Sequence, residues 1–278
     1  MEKQNEINKA WIFNPLKIFF WEAFFFSLTF FLGLATALRL NTILKSEGKI
    51  LAPVSFRQFI FSFLFATFLI LLLAYLKKFQ KEKRLIFKIF FVLLIFLGSG
   101  SILGVWMPNS GAAILSIILV FGWLKFSSIL FHNIAIILAI AGAGVFLGLN
   151  LSPLVVVSLL AVFSLYDFIA VYKTKHMIKI AKEMIEARVP VAFICPQKIS
   201  DFGVSLKEIQ PGGKFLILGG GDVAFPLLLS VSLLPEGTFS AILVALFALI
   251  GLSVSFFIFI NQKIRQPIPA LPPIALCS

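Results

Sequence analysis

Runs of about twenty apolar residues, parted by short polar connections, recur along this chain from Phe19 to its end. A helix rises about 1.5 Å per residue, so each run matches the roughly 30 Å hydrocarbon thickness of a bilayer. The pattern predicts an all-α polytopic membrane protein with eight complete spans. These are Phe19–Leu38, Phe56–Leu76, Leu85–Trp106, Gly111–Leu124, Ser128–Leu149, Pro153–Tyr172, Phe215–Leu233 and Phe239–Ile260. A short ninth runs from Ile268 to Ser278. The first run lacks a small-residue cleavage site and reads as a retained helix rather than a removable signal. No internal repeat appears, which excludes a solenoid.

Most connections are tight; the stretch from Lys173 to Lys214 is not. It divides the chain into an N-terminal six-helix part (1–172), a cytoplasmic connection (173–214) and a C-terminal three-segment part (215–278). The connection opens with a basic amphipathic piece, Lys175 to Arg188, expected to lie as a helix on the membrane surface. A β-prone run bounded by prolines, Val189 to Cys195, follows it.

Composition agrees with the spans: 60% of residues are hydrophobic and 13% charged, which excludes an ordinary soluble domain. The net charge of +12 would suggest nucleic acid, but the basic residues flank the apolar runs as topology signals do, so no nucleic-acid partner is expected. Of the 24 Lys and Arg, only Arg39, Lys45, Lys49 and Arg57 fall on the face opposite the N-terminus. The positive-inside rule therefore puts the N-terminus in the cytoplasm and, with nine spans, the C-terminus outside. Cys195 and Cys277 show no partner spacing, so neither a disulfide nor a metal site is expected, and no cofactor is implied.

Of twelve carboxylates, two lie well inside long apolar runs: Asp167 in the sixth and Asp222 in the seventh. A carboxylate at membrane depth costs at least about 2.5–3.5 kcal/mol and is normally retained for function. Counted along helices, Asp167 lies about 9 Å before Lys173 and Asp222 about 12 Å after Lys214. Two antiparallel neighbours thus bring their acids to nearly one level in the cytoplasmic half. The bland alternative is that each bonds separately to backbone or hydroxyl groups. Glu22 and His132 lie within a turn or two of span ends, where interfacial placement is the default, and His176 sits in the basic surface piece.

The neighbours of the two acids sharpen the picture. Gly219, Gly220 and Gly221 directly precede Asp222, and Pro226 follows one turn later. Three glycines weaken a helix but let backbones approach closely, which a bilayer tolerates only against protein or water. Alone, the glycines read equally as a helix-packing face. Tyr166 beside Asp167 is an orienting group or a packed aromatic. Pro269, Ala270 and Leu271 lie within about 6–9 Å of the cytoplasmic edge, by helix rise from Arg265.

Together, Tyr166-Asp167, Gly219 to Asp222 and Pro269 to Leu271 resemble the YD, GxGD and PAL signatures of the presenilin and signal peptide peptidase family. Order, spacing and the nine-span frame fit, so the resemblance covers essentially the whole chain. Pro226 is more like the signal peptide peptidases and microbial homologues, whereas the charge count gives presenilin's orientation; a microbial presenilin homologue reconciles both. The resemblance implies that Asp167 and Asp222 are the catalytic pair and that Pro269 to Leu271 shape the cleft and the substrate's position. Only seven residues follow Leu271, too few for the ninth segment to cross alone.

The expected activity is intramembrane aspartyl endopeptidase action on transmembrane-helix substrates. Two carboxylates sharing a site hold one proton between them and activate a water. A helical substrate must unwind, and a strand edge would hold the unwound form. Val189 to Cys195, with Val191 and Phe193 as contacts, or the residues just before Phe215, are the expected edge. The lipid bilayer is the other implied partner, and homo-oligomerisation stays open. A prepilin-type peptidase shares a GxGD aspartate, but Ala224 stands where that family resembles a lysine. A proton-coupled carrier would use midplane acids and glycine-broken helices; here no matched halves appear and both acids sit off-centre.

Overall fold

The computed structural model describes residues 15–48, 54–61, 83–209, 215–262 and 267–278. Among them the helices are α1 (Pro15–Ser46), α2 (Lys83–Trp106), α3 (Asn109–Lys125), α4 (Ile129–Asn150), α5 (Pro153–Tyr172), α6 (His176–Glu186), α7 (Gly220–Ser232), α8 (Thr238–Ile260) and α9 (Leu271–Cys277). One two-stranded sheet joins them, β1 (Ala192–Pro196) paired with β2 (Phe215–Gly219). Five helices, α1, α2, α4, α5 and α8, are long and apolar enough to cross a membrane; α3 and α7 are shorter apolar helices. The helical membrane architecture is therefore as expected, while the count of nine is not reached among the described residues. Most of the second expected span, Phe56–Leu76, lies outside them; 56–61 are helical.

α4 is the hub. It packs against α1, α2, α3, α7 and β1. Its buried positions include Ala135, Ala139, Ala141, Gly142, Gly144 and Gly148. In lipid no hydrophobic force drives helices together, so close backbone approach must supply the contact. At the α2–α4 crossing a Cβ on Gly142 would overlap the Gly98 carbonyl oxygen. The outer helix faces carry large apolar side chains such as Phe31, Phe121, Phe146 and Phe257, as lipid contact requires.

The sequence pattern misses one element. Phe215–Gly219 continues the apolar run of α7 without a break, so it reads as helix; here it is a strand. It pairs antiparallel with β1 in the register Ala192 with Gly219, Phe193 with Leu218 and Cys195 with Leu216. The helix-rise depth for Asp222 is superseded by this strand. The ninth segment is a seven-residue helix, α9, which packs on α8, α5 and α7. The amphipathic piece forms α6, bounded by left-handed Lys175 and Arg188 at φ 54° and 62°.

Candidate active site

Asp222 is the third residue of α7, and Gly219 caps that helix. Its carboxylate accepts the Gly219 backbone N–H. A carboxylate at this position folding back on the cap amide satisfies a donor the helix leaves orphaned, and it meets the positive end of the helix dipole. Part of the Asp222 surface stays open. Gly220 seats this turn against the hairpin: its N–H donates to the Val191 carbonyl at 2.9 Å. A Cβ on Gly220 would stand 2.9 Å from that same oxygen.

Asp167 lies well inside α5 and is 8% exposed. Its carboxylate accepts the Leu271 backbone N–H, and Leu271 opens α9. The Pro269 to Leu271 turn therefore aims a helix N-terminus at Asp167, much as α7 aims its own at Asp222. α5, α7 and α9 pack mutually. That packing brings the Asp167 carboxylate close enough for its charge to be felt at Asp222. Two acids from separate spans thus share one electrostatic environment, the arrangement that lets a pair hold a single proton.

Around them the hairpin is anchored asymmetrically. Asn133 of α4 donates to the Ile194 carbonyl at 2.8 Å and accepts the Ile194 N–H at 3.0 Å. His132 Nε2 meets the Ala192 carbonyl at 3.1 Å. Ile194 and Ala192 therefore face away from β2, so Phe193 and Cys195 make the ladder bonds to Leu218 and Leu216. By the same alternation Phe215, Ile217 and Gly219 turn their backbone groups outward from β2, on the side where Gly219 meets Asp222. Among the described residues no backbone group pairs with Ile217 there.

Four expectations need correction. β1 is buried at all five positions, with both edges occupied, so Val189 to Cys195 offers no edge to a substrate. Phe193 is fully buried and stacks on Phe25 with ring centroids 5.9 Å apart, so it touches no substrate; Val191 serves instead through its carbonyl to Gly220. Tyr166 is 46% exposed and lines a cavity of about 390 Å³ with Ile169, Ala170 and Thr174, turned from the buried side of α5. Glu22 and His132 are not interfacial: Glu22 is 6% exposed, and His132 is fully buried between the Trp123 indole N–H and the Ala192 carbonyl. Glu22 was legible on one criterion, since it shares the buried helix row of Ile18, Phe25, Phe26 and Thr29. Burial, and after it the Glu22 carboxylate, push the Cys195 thiol up.

No curated protein matches this chain. Two solved crystal forms, C222 and P2, of a presenilin family intramembrane aspartate protease superpose with TM-scores of 0.56 and 0.55 at 21% identity. The alignments cover 92% of this chain and 94% and 92% of those chains, and at such identity they show a shared fold. The family model described as signal-peptide peptidase, presenilin aspartyl protease matches residues 26–276. That match takes in nearly the whole bundle, and the chain belongs to the signal-peptide peptidase and presenilin family of intramembrane aspartyl proteases.

Proposed function

We propose that Asp167 and Asp222 are the catalytic pair and that the enzyme hydrolyses peptide bonds within single transmembrane helices, including stubs left by an earlier cleavage. What supports this reading most is the mutual packing of α5, α7 and α9 around two carboxylates from different helices, each held by one backbone N–H. The ionised member takes a proton from water, and the water oxygen bonds to the scissile carbonyl carbon. The protonated member gives its proton to the carbonyl oxygen, forming a neutral diol. On collapse the C–N bond breaks. The leaving nitrogen takes the first proton, the diol returns one to the second carboxylate, and the pair again holds one proton.

The free side of β2 supports substrate pairing next to Asp222. An unwound segment laid along Phe215 and Ile217 would exchange backbone hydrogen bonds there, with its following peptide bond near the acids. Gly219 to Gly221 keep that approach open, and Pro269 to Leu271 set the position of Asp167 from the other side. The charge bias along the sequence supports a cytoplasmic N-terminus, an extracytoplasmic C-terminus and an active site in the cytoplasmic half.

Purified enzyme in bilayer discs, incubated with a model transmembrane peptide, tests this. Mass spectrometry should find cleavage inside the hydrophobic stretch with wild type and none with Asp167→Asn or Asp222→Asn, both folded. Cleavage persisting in either variant would overturn the assignment.

A further inference from the structure

Two neighbouring polar residues of α4, His132 and Asn133, reach the outer edge of β1, and both are fully buried. The Asn133 side chain behaves there like a residue of one more strand. Its Nδ2 donates to the Ile194 carbonyl at 2.8 Å, and its Oδ1 accepts the Ile194 N–H at 3.0 Å. An amide carries both a donor and an acceptor, so one side chain fills both outward groups of Ile194. His132 meets β1 two residues earlier. The Trp123 indole N–H donates to its Nδ1 at 3.3 Å, so Nε2 keeps the ring hydrogen and donates to the Ala192 carbonyl at 3.1 Å.

The register carries these two anchors across the sheet to different stations. Ile194 lies opposite Ile217, and Ala192 lies opposite Gly219. In an antiparallel pair, a residue whose backbone groups face outward lies opposite another that does the same. Asn133 is therefore in line with Ile217 on the free side of β2. His132 is in line with Gly219, whose N–H holds Asp222. We infer that Asn133 is a positioning residue for the substrate: through Ile194 and Ile217 it fixes where an unwound segment lies, and so which peptide bond is cut. The inference rests on the reading of the free side of β2 as the pairing edge. A two-stranded sheet holds itself only marginally, so its place depends on what grips its outer edge. Without the Asn133 amide the hairpin shifts at the Ile217 level. The end beside Asp222 stays held by His132 on Ala192 and by the Gly220 N–H on Val191.

The test is kcat, KM and product masses for one transmembrane peptide in bilayer discs, together with thermal unfolding. The proteins are wild type, Asn133→Leu, Asn133→Gln, His132→Leu, Thr36→Val and Ile217→Pro. Asn133→Leu should raise KM about tenfold and spread cleavage from one main bond over its neighbours. His132→Leu should instead lower kcat and leave the product masses as in wild type. Thr36→Val removes the acceptor of the Trp106 indole, a hydrogen bond between α1 and α2 at 3.0 Å. It should lower Tm while KM and products stay unchanged, which separates lost stability from lost position. Should Asn133→Leu fail to fold, Asn133→Gln, which carries the same groups one methylene further out, decides by the same readouts. Wild-type KM and products in the Asn133 variant would overturn the inference, and so would an equal spread of products in Thr36→Val or His132→Leu. Ile217→Pro tells the two readings apart. If it changes neither KM nor products, the pairing edge itself falls; if it changes them and the Asn133 variant does not, the role of Asn133 alone falls.

Discussion

The two aspartates are held by the same kind of group but reached by different routes. Asp222 takes its N–H from Gly219, three residues earlier in the same turn. Asp167 takes its N–H from Leu271, far along the chain and carried on a seven-residue helix. One carboxylate is therefore oriented by local structure and the other by tertiary packing. Local geometry survives small disturbances of the bundle, whereas Asp167 depends on everything that keeps α9 seated. α9 thus acts as a docked wedge behind Asp167, packed on α8, α5 and α7.

The largest effect should come from either acid itself. Asp167→Asn or Asp222→Asn should each lower kcat by about 10³-fold or more, as for members of a catalytic unit. Next comes the support of α9. A Cβ on Gly251 of α8 would stand 2.6 Å from the Ile274 Cα and 2.8 Å from the Pro273 oxygen, so backbone must move. Gly251→Val should cut activity by roughly 10²-fold, since a misplacement of about 1 Å can cost that much. Thermal unfolding should show a lower Tm for the same variant.

A smaller effect separates the free edge of β2 from its paired edge. Ile217→Pro removes only an outward N–H, which an edge strand tolerates. KM for a transmembrane-helix substrate should rise by about tenfold, the worth of one hydrogen bond, with unfolding unchanged. Leu218→Pro removes a ladder donor and should lower Tm. Smallest in stability terms is Gly219→Ala. The added Cβ would lie 2.8 Å from Asp222 Oδ2, the mobile end of a side chain. Activity should fall several-fold while Tm stays within about 2 °C, because little packing changes. If Gly219→Ala and Gly251→Val lowered Tm equally, the contrast between local and tertiary support would be lost.

Much of this was legible in the sequence because membranes impose strict rules. The helices at Leu85–Trp106, Pro153–Tyr172 and Thr238–Ile260 follow from apolar length alone. Asp167 and Asp222 stand out because charge inside such runs is rare. β2 was not legible, since Phe215 to Leu218 is as apolar as the helix after it and a short apolar run carries no period to distinguish strand from helix. The occupied edges of β1 depend on His132 and Asn133, which come from a helix some sixty residues earlier. Glu22 was misplaced because its depth was counted from the start of the apolar run; α1 already extends back to Pro15, and neighbouring helices close over the acid.

A double-mutant comparison tests the shared site most directly. Single-turnover cleavage of one transmembrane peptide would be measured for wild type, Asp167→Asn, Asp222→Asn and the double variant. Carboxyls that share one proton act as a unit, so each single variant should be as inactive as the double. Partial losses in the single variants that multiply in the double would mean that the two acids act separately, and would contradict a common active site.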